Sequence, residues 1–337
     1  MELLITVIKI IAVIGVSLGC VAYIVLLERR LSAGIQNRIG PNRVGWQGLL
    51  QPIADVLKLV LKEDIIPAKA NSFIHGLAPV ISITVAMVTI AVIPFGNRIN
   101  LFGYDIKLQI ASVNIGILYI LALSSLGVYG LTLSGWSSNS KYPLLGSIRS
   151  SAQMISYELS MGLSIIGVVM VAGSLQLDKI VEMQAGWRWN LILQPIGFIT
   201  FVVSAFAETN RLPFDLPEAE PELVAGYHTE YSGMKFGLFY LAEYTNMFVS
   251  SALITTLFLG GWQVPFVHSL GLSDFWISII QIVGFLAKII IIVAFFIIIR
   301  WTVPRFRYDQ LMNLGWKFML PIAILNLLLT GLVILLI

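Results

Sequence analysis

The sequence predicts an all-α, polytopic integral membrane protein of about eight transmembrane helices, with a short amphipathic surface helix in its first cytoplasmic loop. Three observations lead there. Of 337 residues, 58% are hydrophobic and only 12% charged, against roughly 25% charged in an ordinary soluble domain. The apolar residues gather into eight runs of about 20, the helical length that crosses a ~30 Å hydrocarbon core. Lysine and arginine then divide unequally between alternate loops, as the positive-inside rule requires.

The runs fall at 3–27, 74–95, 113–135, 154–175, 191–209, 236–260, 276–299 and 318–337. The first also has the outline of a signal peptide, with Gly19-Cys20 as a lipoprotein-like site. Lys9 interrupts it, however, no basic segment precedes it, and Ser17 stands where an apolar residue is expected, so a retained span is the better reading. Pro94, Pro195 and Pro321 lie near span ends, where a missing N–H costs little. No repeat, low-complexity stretch or soluble domain interrupts the pattern. Residues 1–337 read as one membrane domain with functional loops at 28–73, 208–236 and 300–317. Placing the N-terminus outside puts fifteen lysines and arginines in inside loops and four in outside loops. Both termini are therefore expected in the periplasm of a bacterial inner membrane, with the charged loops cytoplasmic.

The first inside loop carries Arg29, Arg30, Arg38 and Arg43 around the turn Gly40-Pro41-Asn42, where proline presets φ and asparagine tolerates the next corner. From Pro52 a helix of about eleven residues is predicted. Leu49, Leu50, Ile53, Leu57, Val60 and Leu61 share one face, and Gln51, Asp55, Lys58 and Lys62 the other. It is too short to span and should lie at the membrane surface. The arginines are explained in part by orientation and by anionic lipid head groups. Glu28, Asp55 and the proline turn among them fit instead a pocket for an amphiphilic ligand.

The loop after the fifth run is unusual. Pro213, Pro217 and Pro221 forbid a regular helix, and Glu218, Glu220 and Glu222 alternate so that an extended chain would put them on one face. Close carboxylates raise one another's pKa, which suits proton exchange near neutral pH; the plainer reading is a solvated acidic loop. Against the plainer reading, Leu212, Phe214 and Leu216 make the loop apolar too. More acids also adjoin it: Glu158, Glu208, Asp215, Glu230 and Glu243. Lys288 falls near the middle of the seventh run, where an ionisable group costs about 2.5–3.5 kcal/mol on insertion scales. These groups form either a proton-conducting chain or structural ion pairs, Lys288 with a glutamate for example.

Other chemistries are excluded or disfavoured. One cysteine, Cys20, allows neither an internal disulfide nor an all-thiolate iron–sulfur cluster. His75, His228 and His268 are far apart and none lies mid-span, which disfavours haem. No glycine-rich nucleotide loop follows a strand. No metal site is expected, and nucleic acid is not an expected partner. Any redox centre belongs to another chain.

Three segments carry a family resemblance. Glu28-Arg29-Arg30, Gln36-Asn37-Arg38-Ile39-Gly40-Pro41-Asn42-Arg43 and Gly48-Leu49-Leu50-Gln51-Pro52-Ile53-Ala54-Asp55-Val56-Leu57-Lys58 form the first. The second is Pro213-Phe214-Asp215-Leu216-Pro217-Glu218-Ala219-Glu220 running on to Gly226-Tyr227-His228-Thr229-Glu230-Tyr231. The third is Pro304-Arg305-Phe306-Arg307-Tyr308-Asp309-Gln310-Leu311. In order and span count they resemble the H subunits of bacterial proton-translocating NADH:quinone oxidoreductase, respiratory complex I, the counterparts of mitochondrial NADH dehydrogenase subunit 1. Val56 stands where alanine is often found, an apolar change expected to affect packing only.

The resemblance implies a subunit without a redox centre of its own, with quinone (ubiquinone or menaquinone) as substrate and NAD and iron–sulfur clusters in partner subunits. Implied partners are the peripheral-arm quinone-site and iron–sulfur subunits, the small and antiporter-like membrane subunits, and membrane lipids. By position, Arg29, Arg30, Arg38, Pro41, Arg43, Asp55 and Phe214 would belong to the quinone chamber. Glu158, Glu208, Asp215, Glu218, Glu220, Glu222, Glu230 and Glu243 would belong to an acidic path that couples quinone reduction to proton translocation. Two other readings stand beside this one: the equivalent membrane component of a membrane-bound hydrogenase, and a stand-alone ion transporter. The latter is disfavoured by the absence of a repeated pair of interrupted helices.

Overall fold

The computed structural model describes residues 2–101, 104–186, 188–216, 224–267, 271 and 273–336. All eight apolar runs are helical. The order is α1 (Glu2–Ile35), α2 (Gln51–Leu61), α3 (Ser72–Thr89), a hairpin of β1 (Arg98–Leu101) and β2 (Tyr104–Lys107), α4 (Gly116–Ser137) and α5 (Lys141–Ala172). Then come α6 (Leu177–Met183), α7 (Asn190–Leu193), α8 (Pro195–Glu208), α9 (Gly233–Phe258), α10 (Asp274–Thr302), α11 (Tyr308–Asn313) and α12 (Leu320–Leu336). A π-helical turn, Leu314–Met319, joins the last two.

Among the described residues, six helices are long and apolar enough to cross a membrane: Thr6–Ile35, Ser72–Val92, Gly116–Ser137, Lys141–Ala172, Asp274–Thr302 and Tyr308–Leu336. The other two expected spans differ in character. The fifth run is broken at Gln194, leaving the 14-residue α8. Gln194 is pinned there, donating to Thr330 Oγ1 at 2.7 Å and accepting from Asn326 Nδ2 at 3.0 Å, both on α12. The sixth run is the 26-residue α9, whose Glu243, Asn246 and hydroxyl residues dilute its hydropathy. Every residue from Met247 to Phe258 is buried, the mark of a helix surrounded by protein. It packs on α3, α10, α1 and α8.

The surface helix occupies the predicted residues, with Pro52 in its first turn. It buries no residue fully; Ile53, Val56, Leu57, Val60 and Leu61 are all more than half exposed, an apolar face turned away from the bundle. Two helices outrun their apolar segments. α1 continues through Glu28, Arg29 and Arg30 to Ile35, and α5 begins at Lys141, well before its apolar run. Hydropathy reports the membrane-embedded stretch; backbone hydrogen bonding carries a helix further. The extension of α1 brings Glu28 into the bundle as helix rather than loop.

Candidate functional site

At the end of the bundle where α1 finishes, four segments meet on one buried guanidinium. Glu28 on α1 is 5% exposed and Arg211, three residues past α8, is also 5% exposed. Arg211 Nη1 donates to Glu28 Oε1 at 3.0 Å and to Oε2 at 2.9 Å. Its Nε makes an ion pair with Glu243 Oε1 of α9 at 2.6 Å. Tyr244 donates its hydroxyl to Glu28 Oε2 at 2.8 Å and presents its ring to the guanidinium at 4.2 Å. Arg300, at the end of α10, closes the group with a further bond to Glu28. Burial opposes the Arg211 charge, and Glu243 and Glu28 outweigh it, holding the guanidinium protonated well above its ordinary range. Two carboxylates and two guanidiniums leave the node formally neutral, the condition for burying such charge.

The chain reaches this geometry through local constraints. Asn210 has φ +51°, a left-handed turn that asparagine tolerates, and it ends α8 sharply enough to turn Arg211 inward. Gln153 of α5, fully buried, donates to the carbonyls of Ala207 and Phe214, each at 2.8 Å. Phe306 N donates to Pro213 O at 3.2 Å, and Arg305 pairs with Asp215 at 2.9 Å. The loop 209–215 is thus stitched to α5 and to the segment after α10.

The surface helix is tied to the same node. Asp55 pairs with Arg29 at 2.6 Å and accepts from Gln51 Nε2 at 3.0 Å. Beyond the helix, Asp64 pairs with Lys235 of α9 at 2.7 Å. Arg30 bonds the carbonyl of Gln47. Gly48 is at φ +78°, and a side chain there would meet Pro41 O at 2.3 Å, so the turn and the helix close only with glycine at this position. Pro41 is half-buried, while Arg38 and Arg43 are exposed; Arg38 Nε donates to Gln36 Oε1 at 2.7 Å.

Behind the node lies an internal cavity of about 60 Å³, lined by polar groups Ser82, Ser124, Glu208, Asn210, Glu243 and Asn246 among apolar walls. That space suits about four water molecules. Glu243 therefore faces both Arg211 and the cavity. Glu158 on α5 accepts a bond from Ser125 and lies close enough for its charge to act on Glu208.

The other expected residues are placed as follows. Phe214 is 4% exposed, sits edge-on to Tyr157 at 5.4 Å and tilted to Phe306 at 5.4 Å, and helps line an apolar cavity of about 390 Å³ between α8, α10 and the segment after α10. Glu230 is half-buried beside the turn Gly226–His228. Glu218, Glu220 and Glu222, with Pro217 and Pro221, lie outside the described residues, as does His268. Among the described residues no group of three or more His, Cys, Asp or Glu is arranged to hold a metal ion.

Among the described residues Lys288 forms no ion pair with a glutamate; its Nζ donates to the carbonyls of Leu259, Gly261 and Gln263 at 2.8, 2.9 and 2.8 Å. These oxygens end α9, where Gly260 and Gly261 take φ +72° and +52°, and the ammonium serves as a helix C-cap. Lys288→Met is expected to cost about 2 kcal/mol by stranding them, read as a lower melting temperature of the purified protein.

His228 is buried against Tyr227, Phe236 and Phe239. Burial pushes its pKa down to about 3, so the folded protein keeps it neutral while the unfolded chain takes a proton below about 6.5. The unfolded state then binds more protons, and stability falls as pH drops from about 6.5 towards 3. His228→Phe should flatten that part of a stability-against-pH curve.

Arg211, Arg300 and Tyr244 do not stand out in the sequence pattern, where both arginines count only as orientation signals. A faint signal exists: Glu28 is an acid among arginines at the end of an apolar run, and such a group wants a buried cation.

Residues 8–331 match the profile of a family described as NADH dehydrogenase. An NADH-quinone oxidoreductase H subunit of Cytophaga hutchinsonii is 51% identical over 96% of this chain and 95% of its own length. NADH-quinone oxidoreductase subunit 8 of Rhodothermus marinus is 54% identical, with 95% and 94% covered. The NADH-quinone oxidoreductase H subunit of Salinibacter ruber is 53% identical, with 95% and 93% covered. Similarity of that extent, end to end, places this chain in the NADH dehydrogenase family, alongside the NADH-quinone oxidoreductase H subunits.

Proposed function

We propose that this chain is the membrane subunit of an H⁺-translocating NADH:quinone oxidoreductase that walls the membrane side of the quinone chamber and couples quinone reduction to proton movement. The relatives' names support the quinone enzyme over the hydrogenase alternative. The observation that carries the coupling is Arg211, shared between Glu28 towards the surface helix and Glu243 towards the internal cavity.

Electrons come from iron–sulfur clusters of partner subunits, themselves reduced by NADH. Reducing a quinone to a quinol consumes two electrons and two protons, and negative charge develops on the head group before protonation is complete. Arg29, Arg30 and Arg38 lie on the side where that charge forms. A change of charge there alters how Arg211 divides itself between its two carboxylates. Glu243 can then exchange a proton with the hydrated cavity and with Glu208, an acid–base relay within a low-dielectric site. This reading places the chain in a bacterial inner membrane with its charged loops cytoplasmic, bound to peripheral quinone-site and iron–sulfur subunits and to small and antiporter-like membrane subunits.

The test is NADH:quinone reductase activity of assembled complexes carrying Glu208→Gln or Asp215→Asn. Both are expected to lose activity while assembly is retained. Full activity in both assembled variants overturns the proposed coupling role.

A further inference from the structure

The end of the bundle away from the Glu28–Arg211 node holds a second charged cavity. Lys9 marks that end of α1, nineteen residues from Glu28, or about 28 Å along a helix. The cavity, of about 160 Å³, lies between the hairpin, the segment before α4, helix α6 and Trp262. Its lining is strongly charged: Arg98, Lys107 and Lys179, with Asp178 and Glu182.

Two features are unexplained by folding alone. Arg98 and Lys107 are direct cross-strand partners, a like-charge pairing that weakens a two-stranded ladder. Lys9 adds a fourth cation nearby, its Nζ donating to Gln109 O at 2.9 Å. Asp178 accepts a bond from Ser112 at 3.3 Å and lies near enough to Lys107 for the two charges to act on each other, yet among the described residues no ion pair joins these acids to Arg98, Lys107 or Lys179. The two signs line the same space without meeting.

A lone metal ion would be repelled by the basic groups, and a lone anion by the acids. A zwitterion satisfies both. The surrounding aromatics set the depth, since Trp262 lines the cavity and Phe275 and Trp276, 42% and 56% exposed, begin α10 at the same end. Tryptophan gathers at the head-group level of a bilayer.

We propose that this cavity binds the head group of a phosphatidylethanolamine-type lipid, with its phosphate on Arg98, Lys107 and Lys179 and its ammonium on Asp178 and Glu182. An ammonium with three N–H donors suits carboxylates; a quaternary choline does not donate, and an uncharged glycerol head group leaves the acids unpartnered.

The assembled complex, exchanged into bilayer discs of equal phosphatidylethanolamine, phosphatidylcholine and phosphatidylglycerol, is released and its retained lipids counted by mass spectrometry. The wild type is expected to retain one more phosphatidylethanolamine per complex than the double variant Lys107→Gln/Lys179→Gln. Asp178→Asn/Glu182→Gln should abolish the preference over phosphatidylglycerol, by roughly threefold or more. Unchanged quinone reductase activity is the folding control, since none of these residues belongs to the coupling node. Identical lipid counts in wild type and both variants overturn the proposal, as they would if a partner subunit filled the cavity. Equal retention of the choline lipid overturns it too. Displacement by soluble glycerophosphoethanolamine at concentrations matching the lipid would show a soluble ligand and overturn the lipid assignment.

Discussion

Arg211→Met is expected to destabilise the chain by about 3–5 kcal/mol, because it leaves buried carboxylates without their main cation. Glu28 would keep Arg300 and the Tyr244 hydroxyl, but Glu243 would lose the partner now at 2.6 Å. The readouts are a reduced yield of assembled complex and a lower melting temperature. Arg211→Lys separates folding from function. An ammonium retains the charge but cannot fork to two carboxylates on different helices, so the complex should assemble with most of its stability and still lose quinone reductase activity by about tenfold or more. Wild-type activity in an assembled Arg211→Lys complex would mean that charge alone, not shared bonding, is what the node supplies.

Glu243→Gln is expected to have the second-largest effect, and chiefly on rate. The amide fills the same space and still accepts from Arg211, so the cavity behind it persists, but the node loses its neutrality and the stability cost should be about 2–3 kcal/mol. What disappears is the only group that touches both Arg211 and the cavity shared with Glu208 among the described lining. A relay that has lost an acid–base member slows by about 10²-fold, and Glu243→Asp should recover part of that rate where Gln does not.

Much of the fold is legible from the residues. Each apolar run falls largely on helix, and periodicity with Pro52 places the surface helix within a residue of its observed start at Gln51. Those signals are local. The ends are not: the first apolar run stops before Glu28, yet the backbone of α1 continues to Ile35, because polar residues do not stop a helix that leaves the membrane. The node is out of reach for a different reason. Glu28, Arg211, Glu243 and Arg300 come from four segments up to 272 positions apart, and pairing across that distance depends on packing, which spacing does not encode. Lys288 shows the same limit: its place within an apolar run suggests a carboxylate partner, whereas the turn at Gly260 and Gly261 offers it three carbonyls.

The surface helix shows how the sequence and the tertiary contacts complement each other. Asp55 stands out in the sequence as an acid on the polar face beside arginines, and it pairs with Arg29. The paired Asp64 and Lys235 add a second tie, to α9. Together they connect the surface-helix segment to α1 and to α9, the helix that carries Glu243.

The most direct test of this link measures quinone reduction and proton translocation in the same proteoliposomes, for the wild-type complex and for Glu243→Gln. If Arg211 and Glu243 join the chamber to the proton path, both rates fall together, by a common factor of about 10²-fold. Quinone reduction at the wild-type rate in that variant would contradict the account.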